Sequence, residues 1–322
     1  MIIVANKNGH TDGSAHRMIE RVKADAPLVL VSSTNDFKFN DALLTLAGKP
    51  WVLFDYCEYW WDFDLLTTGT HRWGNNTEIF PHFQQSEDQK KQWDLFDKFV
   101  RDNPPALVFK REMLDIDVPA RYEPIEYVGW NEVPPPEDKE TFLKRPINLF
   151  YYWGRSHEAR VALHGDIFRR ASKKGYAVSD HITHLPGFMA EEQSTNRWVT
   201  LHIPHYAQTN VKTILSIAAA SKLCVSMPGC GNKCFRTTGE APISSVMVMK
   251  EDGMRYSYPW KHNENCIKFV SFGKEIETIE SALVNPNLYE IYLKGVETAK
   301  KYFIDNYIAD YIEPTIKTAI LQ

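Results

Sequence analysis

Residues 221–241 of the chain read SKLCVSMPGCGNKCFRTTGEA, and they give the clearest indication of fold class. It begins with a short apolar run, which is typical of a buried strand. A glycine turn follows at Gly229 and Gly231, and a helix is expected to begin near Arg236 and Glu240. Strand, glycine turn and helix in this order predict one unit of a parallel α/β sheet, in which ligands bind beyond the carboxyl ends of the strands.

The same stretch has the groups that a site for a nucleoside diphosphate needs. Gly229 and Gly231 let backbone N–H groups approach an anion, and a helix N-terminus favours negative charge. Arg236 presents a fork of donors for a diphosphate, and Glu240 can accept two hydrogen bonds from a ribose diol. Ser226 ends the strand and completes this part of the predicted pocket. A helical salt bridge between the arginine and the glutamate is the structural alternative.

The α/β rhythm covers the whole chain. The predicted strands cover residues 1–5, 27–32, 50–56, 105–110, 147–153, 176–179, 198–203, 223–226, 245–250 and 266–271. The predicted helices cover residues 16–24, 40–47, 89–101, 157–173, 209–219, 241–245 and 287–311. Strands that alternate with helices indicate parallel sheets with crossover connections.

A proline-rich, charged segment divides this pattern into two α/β units. We expect a Rossmann-like acceptor-side domain over 1–126, a linker over 127–146, a donor-binding domain over 147–285 and a helical tail over 286–322 that packs across both domains. Two such units predict parallel sheets that face each other across a cleft.

Composition limits the class of protein. The 322 residues are 43% hydrophobic and 24% charged, which is an ordinary globular balance. The net charge of -4 lacks the basic footprint that is usual for nucleic-acid binding. The five cysteines are an odd, sparse set and favour a reducing compartment, so we expect a cytoplasmic protein. No run of the sequence approaches the ~18 apolar residues of a membrane span.

Residues 221–248 resemble the donor domain of GT-B glycosyltransferases, and most of all the exostosin-like group. That pattern is a Ser-Lys strand, a Pro-x-Gly turn, an arginine, a Glu-Ala pair and an apolar strand. The matching residues are Ser221-Lys222, Pro228 to Gly231, Arg236, Glu240-Ala241 and 246–248. The resemblance implies that Arg236 binds the donor phosphates and Glu240 the ribose.

A second match is Gly154-Arg155, which follows an apolar run. It is similar to the Phe-x-Gly-Arg turn that opens many GT-B donor domains, in which the arginine faces the diphosphate. The resemblance therefore implies a GT-B fold with a helix of the tail closing back, and a UDP-sugar as the expected donor. Asp62-x-Asp64 and Asp115-x-Asp117 mimic the metal-binding pair of the GT-A fold, which the two-unit layout does not suit, so no bound metal is expected.

The acceptor side offers three candidate catalytic bases. His10 and Asp12 follow the first predicted strand, and Asp55 ends the third. An inverting transferase needs such a group near the acceptor hydroxyl. Asp12 could instead cap the next helix. Trp260 lies in the aromatic loop YSYPWKHNEN, which we expect to contact the donor base or sugar, with surface packing as the alternative.

Two acceptors and one non-enzymatic function remain open at this point. The acceptor is a glycan or cell-surface polymer, or else a hydroxymethylated base of viral DNA that is flipped out of the duplex. The acidic net charge favours the glycan. A non-catalytic protein that binds nucleotide-sugars would keep the Arg236 and Glu240 pocket and lack a base.

Overall fold

A computed structural model describes most of both predicted units. The described residues are 1–4, 13–31, 38–56, 87–111, 113, 121–129, 132–154, 158–174, 177–179, 197–203, 211–227, 238–239, 241–251, 253–271 and 273–321. Of the helices in these residues, none is long and apolar enough to cross a membrane.

A five-stranded parallel sheet occupies the N-terminal part of the chain. Its strands are β1 (Ile2–Val4), β2 (Leu28–Val31), β3 (Val52–Asp55), β4 (Leu107–Lys110) and β5 (Tyr122–Pro124). They lie side by side in sequence order, and every neighbouring pair is parallel. The strands predicted in this part are therefore confirmed, with most of their ends one or two residues shorter than predicted.

Both faces of this first sheet are covered. Leu30 belongs to one apolar cluster and its neighbour Val31 to the other, as the two-residue period of a strand requires. Helix α1 (Gly13–Ile19) packs on the first face, whereas the 3₁₀ helix Asp41–Leu46 and α2 (Glu87–Asp102) pack on the second. Coverage on both faces explains why the strands are nearly continuous apolar runs.

A six-stranded parallel sheet forms the second unit. Its strands are β6 (Ile147–Gly154), β7 (Ala177–Ser179), β8 (Arg197–Ile203), β9 (Ser221–Ser226), β10 (Val246–Lys250) and β11 (Ile267–Phe269). Their order is β11-β10-β9-β6-β8-β7, and every neighbouring pair is parallel. Each of these strands coincides with a predicted one, so the expectation of two parallel sheets is confirmed.

The helices around the second sheet are α3 (Lys139–Leu143), α4 (Glu158–Lys173), α5 (Val211–Ala219) and α6 (Glu275–Leu283). They depart from the prediction in three places, and the first is α3, which lies inside the predicted linker. Helix α6 is not predicted, although Ile276 and Ile279 pack it into the same apolar cluster as Leu223 of β9. The helix predicted over 241–245 is a single turn, in which the N–H of Ser245 donates to the carbonyl O of Ala241 at 3.3 Å.

The segment predicted as a linker is held at several points. Helix α3 lies inside it, and the Asp138 carboxylate caps this helix by accepting from the N–H of Glu140 at 2.9 Å. The N–H of Gly129 donates to Tyr302 O at 2.9 Å, and the N–H of Ile304 donates to Gly129 O at 3.0 Å. Proline-rich composition predicts a spacer, but these contacts attach the spacer to the C-terminal tail.

The C-terminal tail is helical and contacts both sheets. It consists of α7 (Leu288–Lys301), α8 (Ile304–Tyr307), a π-helical turn (Ile308–Ile312) and α9 (Glu313–Leu321). Tyr292 of α7 joins the apolar cluster of the second sheet. The ring of Tyr311 lies 6.1 Å from that of Phe109 in β4, and the N–H of Lys23 donates to the Glu313 carboxylate at 2.8 Å.

Candidate functional site

The second sheet has a topological switch point between β6 and β9. The chain that leaves β6 continues to β7 and β8 on one side, and the chain that leaves β9 continues to β10 and β11 on the other. Connections that diverge in this way leave a crevice at the carboxyl ends of the strands, where ligands of open α/β sheets bind. The described strands of the first sheet follow in sequence order and contain no such point.

Two of the predicted binding residues lie at this crevice. Gly154 is the last residue of β6, and Ser226, which is buried, is the last residue of β9. The two strands pair directly, with Tyr151 opposite Val225 near their carboxyl ends. The structure therefore places the starts of the two motif loops, one after Gly154 and one after Ser226, at adjacent strand ends.

Most of the other predicted site residues lie outside the described residues. These are Arg155, Gly229, Gly231, Arg236 and Glu240 on the donor side, and His10 and Asp12 on the acceptor side. Their roles stay predictions. In the described part of the chain, no group of three His, Cys, Asp or Glu side chains is arranged to hold a metal ion.

Thr238 fixes the segment next to Glu240. This threonine is 1% exposed, and its hydroxyl donates a hydrogen bond to the backbone O of Tyr127 at 2.6 Å. On the other side of the glutamate, the hydroxyl of Ser245 donates to Ala241 O at 3.0 Å and closes the turn there. The chain is therefore buried and hydrogen-bonded both before and after the predicted ribose-binding residue.

Asp55, a predicted catalytic base, is buried against a lysine. Its Oδ2 lies 2.7 Å from Nζ of Lys110, its register partner in β4, and both side chains are 1% exposed. A general base must reach the hydroxyl that it deprotonates, whereas this carboxylate compensates a buried ammonium. The geometry favours a structural role for Asp55, so His10 and Asp12 remain the bases that the sequence predicts.

Trp260, predicted to contact the donor, packs its loop against the C-terminal tail. It is 3% exposed, and its ring stacks on that of Tyr302 with the centroids 5.9 Å apart. In the same loop, the N–H of Tyr258 donates to the hydroxyl of Tyr302 at 3.1 Å, and that hydroxyl donates to Tyr258 O at 2.7 Å. A contact between Trp260 and a donor stays a prediction.

Buried Glu126 connects three parts of the chain through its carboxylate and its backbone O. It accepts hydrogen bonds from the hydroxyl of Tyr307 in the tail at 2.8 Å, and from the N–H of Ser257 in the β10–β11 loop at 3.3 Å. Its backbone O accepts from the hydroxyl of Tyr56, which follows β3, at 3.2 Å. Burial, and then the charge of Glu126, raise the pKa of Tyr307 well above its usual value, so the phenol remains a hydrogen-bond donor.

An open groove of about 630 Å³ lies elsewhere, between β11 and α6. Its lining includes Lys268 and Lys274 and the exposed apolar side chains of Val270 and Val284. None of its lining residues belongs to β6 or β9, the strands that flank the switch point.

Reasoning from the sequence passes over Thr238, Tyr127 and Glu126. Thr238 has a detectable signal, because it lies between Arg236 and Glu240, the two residues assigned to the donor. Glu126 lies at the predicted domain boundary, but no local pattern marks it as buried. The partners of its carboxylate, Tyr307 and Ser257, are more than one hundred residues away in the sequence, so only the tertiary structure reveals them.

No protein-family model and no curated protein sequence matches this chain. Solved structures do. The chain is similar to Anabaena Alr3699/HepE, crystallised in complex with UDP, at 12% identity and a TM-score of 0.50, covering 98% of this chain and 99% of that one. It is also similar to the GtfA/B complex, at 11% identity and a TM-score of 0.48, covering 96% of this chain and 60% of that one.

A third similar structure is the pneumococcal O-GlcNAc transferase GtfA in complex with UDP and GlcNAc, at 10% identity and a TM-score of 0.45, covering 95% of this chain and 60% of that one. The chain thus spans about three fifths of the length of the two Gtf chains. The similarity to HepE extends over both sheets and shows the fold. Together with the two parallel sheets, it confirms the GT-B architecture that the resemblance of residues 221–248 implies.

Proposed function

We propose that the chain is a glycosyltransferase that moves a sugar from a nucleotide-sugar donor to a hydroxyl acceptor. The observation that carries this proposal is the pairing of β6 with β9 at the switch point. Because these strands end at Gly154 and Ser226, they lead directly into the two motif loops. Arg155 follows the first strand, and Arg236 follows the glycine turn after the second, so both loops bring groups suited to a diphosphate.

The proposed donor is a UDP-sugar. UDP is the ligand in the structure of HepE, whose fold matches this chain over nearly its full length. Glu240 accepts hydrogen bonds from the ribose, and Arg155 and Arg236 stabilise the charge that develops on the leaving diphosphate. Since these arginines supply positive charge, the proposal requires no metal. Membership of the exostosin-like group rests on Ser221-Lys222 and Glu240-Ala241 and belongs to the same proposal.

In this proposal, each of the two α/β units binds one of the two substrates. Residues 147–285 bind the donor and residues 1–126 bind the acceptor, with 127–146 between them and the tail 286–322 across both. Each unit contains one of the two parallel sheets, and the tail touches both, which is the observation that supports this division. His10 or Asp12 removes the proton of the acceptor hydroxyl.

A glycan or cell-surface polymer is the proposed acceptor. Binding to a DNA duplex is driven by basic side chains that neutralise phosphates and release counterions. The chain has no overall excess of such side chains, since its net charge is -4, and this favours a glycan over a modified base of viral DNA. Duplex binding that weakens steeply with salt would favour DNA instead. Cytoplasmic location, inferred from the sparse cysteines, is part of the same proposal.

Calorimetric titration with UDP, GDP and ADP tests the donor assignment. The wild type is expected to bind UDP, and Glu240→Gln to weaken that binding by about tenfold, because hydrogen bonds to charged groups contribute roughly 1.5–3 kcal/mol. Arg169→Ala is the control, since that side chain is 65% exposed on α4. Undiminished affinity in the Glu240 variant would remove this residue from the site.

A second assay separates an enzyme from a binding protein. The wild type is incubated with UDP-glucose and UDP-GlcNAc, and release of UDP is followed over time. Slow hydrolysis or transfer to an added glycan is the expected result. UDP that binds tightly while neither sugar nucleotide is consumed would favour the non-catalytic nucleotide-sugar binding protein.

A further inference from the structure

Thr238 lies two residues after Arg236 and two residues before Glu240. The proposed function assigns both of these neighbours to the donor. Two residues of chain span at most ~7 Å, so a displacement of Thr238 is transmitted to both. Thr238 itself is buried, and its hydroxyl is hydrogen-bonded to Tyr127 O at 2.6 Å. The segment that carries the proposed donor-binding groups therefore has an anchor outside the second sheet.

Tyr127, which accepts the hydrogen bond from Thr238, is itself held by residues at the edge of the first sheet. Arg111, which follows β4 and is buried, donates from Nη1 to the hydroxyl of Tyr127. The guanidinium carbon of Arg111 lies 5.0 Å from the centroid of the Tyr127 ring. The ring of Tyr56, the residue directly after β3, has its centroid 6.2 Å from that of the Tyr127 ring, on a tilted plane. Tyr127 is therefore fixed relative to the carboxyl ends of β3 and β4.

Close packing at Gly129 supports the same contact from the other side. A Cβ atom built at Gly129 would lie 3.4 Å from the carbonyl O of Thr238 and 3.7 Å from that of Tyr302. The linker thus runs between the Thr238 segment and the C-terminal tail, with little space on either side. The linker backbone against which Thr238 packs is held in place, because Gly129 is also hydrogen-bonded to Tyr302 and Ile304.

We infer that Thr238 is a positioning residue for the nucleotide-sugar donor. Its hydrogen bond to Tyr127 holds the segment that carries Arg236 and Glu240 in the geometry that binds the donor, so donor affinity depends on a contact with the linker. The inference rests on the proposed function. A misplacement of about 1 Å can cost a hundredfold in rate even when the mutated residue is far from the reacting atoms, so a residue without donor contact can act on the site through position alone.

The test compares Thr238→Val, which removes the hydroxyl and keeps the shape, with Thr238→Ser, which keeps the hydroxyl. UDP affinity, measured by calorimetry, is expected to fall about fivefold in the valine variant, the effect of one lost neutral hydrogen bond. The serine variant restores it. Hydrogen exchange in peptides that cover residues 232–242 is expected to be faster in the valine variant only.

Thr298→Val is the matched control. Thr298 is another buried threonine with a bonded hydroxyl, which donates to Lys294 O at 2.8 Å and accepts from Asn265 at 3.0 Å. This variant is expected to lose stability and to keep UDP affinity. Equal losses of affinity in the Thr238 and Thr298 variants would overturn the inference, because general destabilisation would then explain both.

The remaining outcomes distinguish failure of the positioning role of Thr238 from failure of the proposed glycosyltransferase function. Wild-type affinity in Thr238→Val overturns the positioning role and leaves the glycosyltransferase proposal intact. If the wild type binds no nucleoside diphosphate, both are overturned. If Thr238→Val does not fold, Tyr127→Phe takes its place. That variant releases Arg111 and keeps the ring, and it is expected to weaken UDP binding about twofold, whereas unchanged affinity counts against the inference.

Discussion

Asp55 and Lys110 face each other across β3 and β4, with Oδ2 and Nζ 2.7 Å apart and both side chains 1% exposed. The removal of one partner from such a pair leaves an uncompensated buried charge, which destabilises a protein strongly. This relationship separates two roles for Asp55. An ion-pair partner acts on stability, whereas a catalytic base acts on turnover in a protein that remains folded.

Asp55→Asn is therefore expected to lower the free energy of unfolding by about 3–5 kcal/mol. Urea unfolding followed by fluorescence measures the loss. The double variant Asp55→Leu/Lys110→Met is expected to recover most of it, because apolar groups then replace both charges. An Asp55→Asn protein of wild-type stability without transferase activity would contradict the ion-pair role and restore Asp55 as a base.

Two helix glycines are expected to respond oppositely to the same substitution. A Cβ atom at Gly295 in α7 would lie 2.9 Å from the backbone O of Asn265, whereas a Cβ atom at Gly165 in α4 would meet nothing within 4 Å. Gly165→Ala should raise the free energy of unfolding by about 0.5–1 kcal/mol through helix propensity. Gly295→Ala should lower it by about 1–3 kcal/mol through overpacking.

Thermal and urea unfolding of the two alanine variants compares them directly. Each variant is the control for the other, because both replace a glycine inside a long helix. Stabilisation of similar size in both would show that α7 does not approach the loop at Asn265 as closely as described.

The strands were predictable because both sheets are covered on two faces. A run such as LVLV at 28–31 is apolar throughout, which only a doubly covered strand requires. Strand β5 is harder to predict from the sequence, since Tyr122–Pro124 is three residues long and its proline fits only an edge position. Helix α6 has local signals that the prediction passes over, since Glu275 and Glu277 in its first turn favour a helix N-terminus and Ile276 and Ile279 are one helical turn apart.

The site was predictable only where neighbouring residues determine it. Gly154 and Ser226 end strands, and strand ends follow from local pattern. The pairing of β6 with β9 does not follow from local pattern, because residues 155–220, which include two further strands, lie between them. The burial of Asp55 also depends on register, since a carboxylate at a strand end suits a base and an ion pair equally well until Lys110 is found opposite it.

Stability is expected to fall in alkaline solution. Burial first, and then the charge of Glu126, raise the pKa values of Tyr302 and Tyr307 well above the usual value. The folded protein therefore holds these phenolic protons more tightly than the unfolded chain, whose tyrosines have a pKa of about 10. Their contribution is complete below about pH 10 and is lost as the pH rises further.

Tyr307→Phe tests whether the buried tyrosines cause this loss of stability in alkaline solution. At pH 7 it should cost about 1–2 kcal/mol, because the Glu126 carboxylate loses a hydrogen-bond donor. Above pH 10 its stability should fall less steeply than that of the wild type, since one titrating phenol is gone. Urea unfolding at pH 7, 9 and 10.5 gives both slopes. Parallel curves for the two proteins would assign the alkaline loss to other groups.

Arg145 holds the end of the linker to the second sheet. Its Nη1 donates to Ser221 O at 2.7 Å and to Ser244 O, at the start of β9 and just before β10. The guanidinium carbon lies 4.8 Å from the ring centroid of Phe142 and 5.1 Å from that of Tyr292. These contacts are at the amino ends of the strands, opposite the crevice, so they concern stability more than donor binding.

Arg145→Lys keeps the charge and loses the planar fork that both stacks and donates. We expect the free energy of unfolding to fall by about 2–3 kcal/mol, the sum of weakened hydrogen bonds and ring contacts. UDP affinity of the folded protein should be unchanged. Arg169→Lys, at an exposed position of α4, should lie within about 0.5 kcal/mol of the wild type. If Arg145→Lys binds UDP more weakly at full stability, the amino ends of β9 and β10 take part in donor binding after all.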